Sequence, residues 1–270
     1  MNILDQIIEQ KRKEVEERKS LYPVKLLEKG IYFSTLPVSM KKYILREDKT
    51  GIIAEFKRKS PSKGTINAHA SVERTSIGYM QAGASALSVL TDKPFFGGSN
   101  DDLMIARKFN FCPIIRKDFT IDEYQIVEAK SIGADAILLI AAVLEPMQVK
   151  ELTAFAHSFG LEVLLEVHDE DELKRNLEAG ADLIGVNNRN LKTFEVSIDI
   201  SKQLAPLIPD SVVKVSESGI SSVDTILELK KHGYRGFLMG ENFMKHSRPE
   251  QAAMEFMDEL RKAEGIKLNA

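Results

Sequence analysis

Cysteine is almost missing from this chain of 270 residues: Cys112 stands alone, which excludes an intrachain disulfide and any metal site built from several thiolates. Its remaining role is that of small buried apolar filler. Neither sign of charge dominates, with 37 Lys and Arg against 40 Asp and Glu and a net charge of −3. Without a basic excess or a block of like charge there is no footprint for nucleic acid. Long hydrophobic runs are missing too. The apolar stretch 136–144 falls far short of the roughly 20 residues a membrane span needs, and the start MNILDQIIEQKRKEVEERK has no signal-peptide core. The expectation is a cytoplasmic protein with neither a membrane nor a nucleic-acid partner. Several chemical signatures are absent as well. Neither G-x-G-x-x-G nor a P-loop occurs. His69, His157, His168, His232 and His246 form no H-x-H or H-E-x-x-H pair, so no metal is expected. Ser62, Ser216 and Ser218 have no nucleophile-elbow context, which leaves a serine hydrolase unsupported.

What is present is a repeat. The length allows one large or two small domains, and 43% apolar content is ample for a core. Residues 3–18 set Ile3, Leu4, Ile7, Ile8 and Val15 among charges at helical spacing, predicting an amphipathic helix packed on something larger. Residues 21–50, with Pro23, Gly30 and Pro37, read as irregular. From Gly51 onward, eight short apolar runs alternate with longer amphipathic stretches: 51–56, 85–90, 112–116, 135–140, 161–166, 182–187, 211–216 and 235–240. Four of them follow a similar junction, in GASALSVL, GADAILLI, GADLIGV and GYRGFLMG, where glycine suits the left-handed cap that ends a helix before a strand. Near-continuous apolar strands separated by helices imply a parallel sheet covered by helices. Eight such units match a closed (β/α)8 TIM barrel. The expected organisation is one domain: an N-terminal helical extension over 1–50 packed on a barrel over 51–270. An open doubly wound sheet is the alternative, and it would lead one to expect the missing glycine fingerprint.

Alternate residues of a strand share a face. The first run therefore sends Ile53, Glu55 and Lys57 one way and Ile52, Ala54 and Phe56 the other. A barrel interior normally takes branched apolar side chains, so ionisable groups on the inward row are costly unless paired or used. The pattern recurs with Ile115 and Lys117, with Leu164 and Glu166, and with Gly185 and Asn187, each time at a strand's carboxyl end. That is the face on which barrels of this kind carry their chemistry. Buried ion pairs or first loop residues would explain any one strand, but four argue for a shared mouth of two acids, two lysines and an amide suited to acid–base work. Which lysine meets which acid is not readable. Ser216-Glu217-Ser218-Gly219 and Gly240-Glu241-Asn242, with Ser60-Pro61-Ser62-Lys63-Gly64, would suit a phosphate, or serve as ordinary turns. Phe95, Phe96, Phe119, Leu138, Leu191 and Leu238 offer an apolar wall, or plain packing. His168 reads better as a loop or helix-capping residue than as part of the mouth.

IIAEFKRKSPSKG at 52–64, IIRKDF at 114–119, LLEVHD at 164–169, GVNNRNL at 185–191, VSESGI at 215–220 and LMGENFM at 238–244 resemble, in order, the motifs of indole-3-glycerol-phosphate synthase. The leader ILDQIIEQKRKEVEERK is similar to that family's extra N-terminal helix, so the resemblance spans essentially the whole chain. It implies a cofactor-free carbon–carbon lyase of tryptophan biosynthesis. Its substrate is 1-(2-carboxyphenylamino)-1-deoxyribulose 5-phosphate, converted by ring closure, decarboxylation and dehydration to indole-3-glycerol phosphate. The resemblance makes Lys117 the general acid toward the substrate carbonyl and gives Glu166 the second acid–base role, in the dehydration. Lys57 sits near the substrate carboxylate and is the proton donor in place of, or after, Lys117, an assignment left open. It has Glu55 keep the lysines charged. Asn187, counted with the catalytic set, joins Arg189, Glu217 and Ser218 on the substrate's polar groups. Ser60, Gly219, Gly240 and Glu241, the last through its backbone N–H, match phosphate positions. Phe96, Phe119, Leu138, Leu191 and Pro61 match the anthranilate pocket. Association with other tryptophan-pathway enzymes is left open.

Two rivals remain at this stage. A Schiff-base aldolase would use Lys117 as an amine nucleophile, which requires a desolvated lysine rather than one crowded by carboxylates. A non-catalytic docking relative would have no need of both lysines and both glutamates.

Overall fold

The computed structural model describes residues 3–190 and 193–265. The eight runs form eight parallel strands: β1 (Ile52–Phe56), β2 (Ala86–Leu90), β3 (Ile114–Lys117), β4 (Ala136–Ile140), β5 (Glu162–Val167), β6 (Leu183–Asn187), β7 (Val213–Glu217) and β8 (Gly236–Met239). Each pairs with its sequence neighbours and β8 returns to β1, closing the barrel expected in place of an open sheet. Observed edges differ from the runs by at most two residues, most at the starts of β3 and β7. At the four helix-to-strand junctions Gly83, Gly133, Gly180 and Gly233 all have positive φ, which side chains with a Cβ avoid.

Period-two alternation sorts the strand residues into two cores. Ile53, Ala86, Ile115, Ala136, Leu138, Leu164, Leu183, Val213 and Val215 fill the barrel interior, while Ile52, Ala54, Phe56, Ile114, Ile137, Leu165 and Val186 pack outward under the helices. Cys112 is buried in the outer core, where loss of water pushes its thiol up to about 12.

Residues 21–50 depart from the irregular expectation. A helix at Met40–Ile44 plugs the barrel's amino-terminal end, with Met40 and Ile44 fully inside the interior core. Ser39 accepts from the Lys42 backbone N–H at 3.1 Å, and Glu162 at the start of β5 accepts from the Lys41 N–H at 2.9 Å. Five residues are too few to display a helical period, so the sequence does not show this element.

The leader is a helix over Ile3–Leu21 whose buried stripe is Ile7, Lys11 and Val15. It lies against the helix Glu123–Ser131, whose residues from Tyr124 onward are buried although only some of them are apolar. The contact is therefore largely ionic: Arg18 meets Glu128, and Lys19 meets Asp122 at 2.7 Å. Among the described residues no helix is long and apolar enough to cross a membrane.

Candidate active site

Glu55, Lys117, Glu166 and Glu217 are contributed by the four odd-numbered strands and all reach inward at the carboxyl end of the barrel. In barrels of this type one interior layer takes four side chains from alternate strands, usually bulky apolar ones. Here the uppermost layer is ionisable. Lys117 Nζ lies 3.0 Å from Glu166 Oε2 and 2.7 Å from Glu217 Oε2. Lys57 Nζ lies 2.7 Å from Glu55 Oε1, and Ser88 Oγ donates to Glu55 Oε2 at 3.2 Å. Asn187 Nδ2 donates to Glu166 Oε1 at 3.0 Å. The pairing that the sequence leaves open is thus Lys57 with Glu55, and Lys117 with Glu166 and Glu217. Glu217 clasps Lys117 directly, so its partner in the free protein is the lysine itself.

These neighbours fix the charge states. Burial opposes the Lys117 ammonium, but the carboxylates of Glu166, Glu217 and Glu55 outweigh it and raise its pKa above the ordinary lysine value. Burial likewise opposes an ionised Glu166, yet Lys117, His168 and Asn187 together bring its pKa below the usual carboxylate range. Glu217 goes the other way. Burial, with the nearby charges of Glu166 and Glu55, exceeds the pull of Lys117 and places it at about 7. The cluster therefore presents an ammonium acid, an ionised carboxylate base and a carboxyl that titrates near neutrality. An ammonium held this firmly is a poor nucleophile, which disfavours the Schiff-base reading of Lys117.

Glycines make room for the carboxylates. A Cβ on Gly185 of β6 would collide with Glu217 Oε1, and one on Gly240 would come within 2.7 Å of Glu55 Oε1. Gly240 thus admits Glu55 as well as opening the loop after β8. Gly219 has φ +74 and follows Ser218, itself at φ +65, so the loop after β7 turns on two successive left-handed residues. Ser60, Ser218 and Glu241 border the cavity over the charged layer, and the Glu241 carboxylate draws Lys63 (3.3 Å) and Arg189 (4.0 Å) to the same rim. Asn187 Oδ1 accepts from the Arg189 backbone N–H at 3.0 Å.

The apolar side of this cavity carries Pro61, Phe96, Phe119, Leu138 and Leu238, with the Phe96 and Phe119 rings 5.9 Å apart. Phe95 does not line it; its backbone N–H donates to Asp92 Oδ1 at 2.9 Å. Leu191 lies outside the described residues. Sequence reasoning missed two contributors. Ile3, Leu4 and Ile7 of the leader helix form part of the wall, a role that an amphipathic pattern cannot distinguish from packing. His168 is the loop residue it was read as, the first after β5, and what was missed is that from there it places Nε2 3.3 Å from Glu166 Oε1. The signal was its spacing of two from Glu166. Among the described residues no group of three or more His, Cys, Asp or Glu side chains is placed to hold a metal ion.

Comparison with known proteins adds a family. The family model described as indole-3-glycerol phosphate synthase matches residues 4–256. A protein of that name from Bacteroides thetaiotaomicron is 48% identical over 95% of this chain and 98% of its own length. Its counterpart from Acinetobacter baylyi is 43% identical over 94% of both. Among solved structures, N-acetylmannosamine-6-phosphate 2-epimerase from Clostridium perfringens superposes with a TM-score of 0.60 at 16% identity, covering 83% of this chain and 97% of that one, a likeness of fold alone.

Two outcomes follow from the geometry. Gly185→Ala should push Glu217 off Lys117 while leaving the fold intact, since the displaced atom ends a flexible side chain. Turnover falling by up to about a hundredfold, with the fold retained but the melting temperature lowered by the broken buried pair, is expected; unaltered turnover would show that the room made for Glu217 is immaterial. The second concerns pH. Because folding raises the Glu217 pKa from 4.5 to about 7, the folded state holds that proton more tightly, and the associated stability is present at low pH and lost as pH rises through about 7. Glu217→Gln should therefore gain stability relative to the parent as pH rises from about 4.5 to about 7, with little further change above that, in urea titrations. A constant difference would contradict the raised value.

Proposed function

The chain belongs to the indole-3-glycerol-phosphate synthase family, and from that premise we propose how its residues share the reaction. The reaction is the carboxy-lyase step of tryptophan biosynthesis that turns 1-(2-carboxyphenylamino)-1-deoxyribulose 5-phosphate into indole-3-glycerol phosphate, CO2 and water. The observation that carries the assignment is the Lys117 ammonium held between Glu166 and Glu217 beneath a cavity that is apolar on one side and polar on the other.

Attack of the carboxylate-bearing aryl carbon on the ketone pushes an electron pair onto the carbonyl oxygen. Lys117, a fixed cation in a water-poor layer, stabilises that alkoxide and protonates it. Loss of CO2 returns the bonding pair to the ring. The new hydroxyl then needs a second proton to leave as water, and the carbon beside the nitrogen must give one up. Glu166, ionised and 3.0 Å from Lys117, takes this last proton and can return it to the lysine. Lys57 is assigned the second delivery, from its seat on Glu55. Two protons go in and one comes out. The net proton matches the carboxylate lost as CO2, and the scheme uses both lysines.

The remaining groups position the substrate. Asn187 orients Glu166; Arg189, Glu217 and Ser218 take polar groups; Ser60, Gly219, Gly240 and Glu241 take the phosphate. Pro61, Phe96, Phe119, Leu138 and Leu191 take the anthranilate ring. Holding both ends of the substrate favours an intramolecular closure. Residues 1–50 and 51–270 are assigned to one domain, since the leader helix lines the same cavity. The cytoplasm is assigned as the compartment, because a charged phosphate ester does not cross a bilayer unaided and must meet the enzyme where it is made. Association with other enzymes of the pathway belongs to the same reading.

Fluorescence of the indole product tests this division of labour without added metal or nucleotide. Lys117→Ala should lower kcat by about a hundred- to ten-thousandfold with KM little changed, and Glu217 can take a proton to spare the variant two facing anions. Ser60→Ala should chiefly raise KM. Equal losses of kcat and KM in both variants would overturn the scheme.

A further inference from the structure

Glu166 receives charge from behind as well as from the cavity. His168 is the first residue after β5, and its side chain is 11% exposed. Its Nε2 lies 3.3 Å from Glu166 Oε1, out of line for a hydrogen bond, so the contact works through charge. Its Nδ1 lies 3.2 Å from Glu172 Oε2, and the same Glu172 oxygen accepts from the His168 backbone N–H at 2.8 Å. Glu172 is itself fixed in the first turn of the helix Glu170–Asn176, where its N–H donates to Asp169 Oδ1 at 2.8 Å. The ring is thus locked between two carboxylates on a capped helix end, and it does not border the cavity.

We propose that His168, anchored by Glu172, is the positioning residue that holds Glu166 toward Lys117 and the substrate for proton removal. The inference rests on the base role given to Glu166 above. Glu166 Oε2 meets Lys117 from β3, while Oε1 meets Asn187 from β6 and His168 from its own loop. Glu217 from β7 and Glu55 from β1 act on it through Lys117. Of these only His168 is a cation that substrate need not touch. Burial opposes a charged ring, but Glu166 and Glu172 outweigh it and push its pKa up to about 10, so it is an imidazolium at neutral pH.

Three variants measured as kcat, KM and the pH profile of kcat separate the possibilities. His168→Ala should lower kcat about ten- to a hundredfold with KM within about threefold. Its acid limb should move to higher pH, because Glu166 loses a cation that favours its ionised form. Glu172→Gln, which keeps the ring but weakens its anchor, should move both readings the same way by less, and it carries the test if His168→Ala fails to fold. In a Glu166→Gln background the His168→Ala change should have no further effect on kcat. A purely structural histidine would instead lower the melting temperature in both backgrounds and leave the acid limb in place, which would overturn the proposal. Full turnover by Glu166→Gln alone would sink the base role of Glu166, and is distinguishable from an inert His168 in an enzyme that needs Glu166.

Discussion

An ammonium buried among carboxylates is the interaction on which the rest of this molecule depends. Burial alone would weaken the hold of Lys117 on its proton, and the three carboxylates of the same layer more than restore it. The arrangement is mutual. Glu166 is ionised against its burial largely because Lys117 is charged, and Glu217 is held near neutrality by burial and then by the charges of Glu166 and Glu55, against the pull of Lys117. Breaking one partner out of such a buried set typically costs about 3–5 kcal/mol, so its members are constrained as a unit. A layer that elsewhere would hold apolar side chains is here an acid–base device, and the glycines at 185 and 240 are the space it requires.

The barrel supplies this device with geometry at little cost to the core. Below the charged layer the interior is apolar, and the helix Met40–Ile44 closes it from the other end. The side chains of Lys117, Glu166 and Glu217 are no more than 11% exposed. That limited access makes the charges act at short range in a low dielectric, where an ammonium beside a developing alkoxide is worth far more than in solvent. The epimerase superposition shows the same fold at 16% identity. What distinguishes this chain is which residues occupy the inward row, since function belongs to the site and not to the scaffold.

The barrel and much of its mouth were legible because a period of two decides which side a strand residue faces. Glu55, Lys57, Lys117, Glu166 and Asn187 were visible as polar interruptions of an apolar row. Their pairing was not, because it depends on how β1, β3, β5 and β7 meet across a closed interior that no local pattern encodes. Gly185 was placed on the inward row, but the reason for its small size was hidden in the same way: the carboxylate that needs its space comes from the next strand. His168 was read as a loop residue, which it is, but its contacts were hidden because Glu172 stands a helical turn away and Glu166 belongs to the strand before it. The short floor helix carried too few residues to display a period. Lys11 passed for one charge among many on the leader, although its ammonium is buried.

That lysine joins the leader to the chemistry. Lys11 Nζ lies 2.9 Å from both Asp92 Oδ2 and Asp118 Oδ1. Burial opposes the Asp118 charge, but Lys11 and Arg116 outweigh it and hold its carboxyl at about 2. Asp118 directly follows Lys117, and its carboxylate turns to Lys11 while the Lys117 ammonium turns to Glu166 and Glu217. Thr91 Oγ1 donates to Asp118 Oδ2 at 2.5 Å, and Asp118 Oδ1 accepts from the Phe119 N–H at 2.8 Å. The end of β3 is therefore gripped from within by Glu166 and Glu217 and from without by the leader helix. One peptide bond separates the two grips. Loosening the outer one would free the backbone that aims Lys117 and the ring of Phe119 together, so the leader is a structural part of the acid–base layer as well as a wall of its cavity.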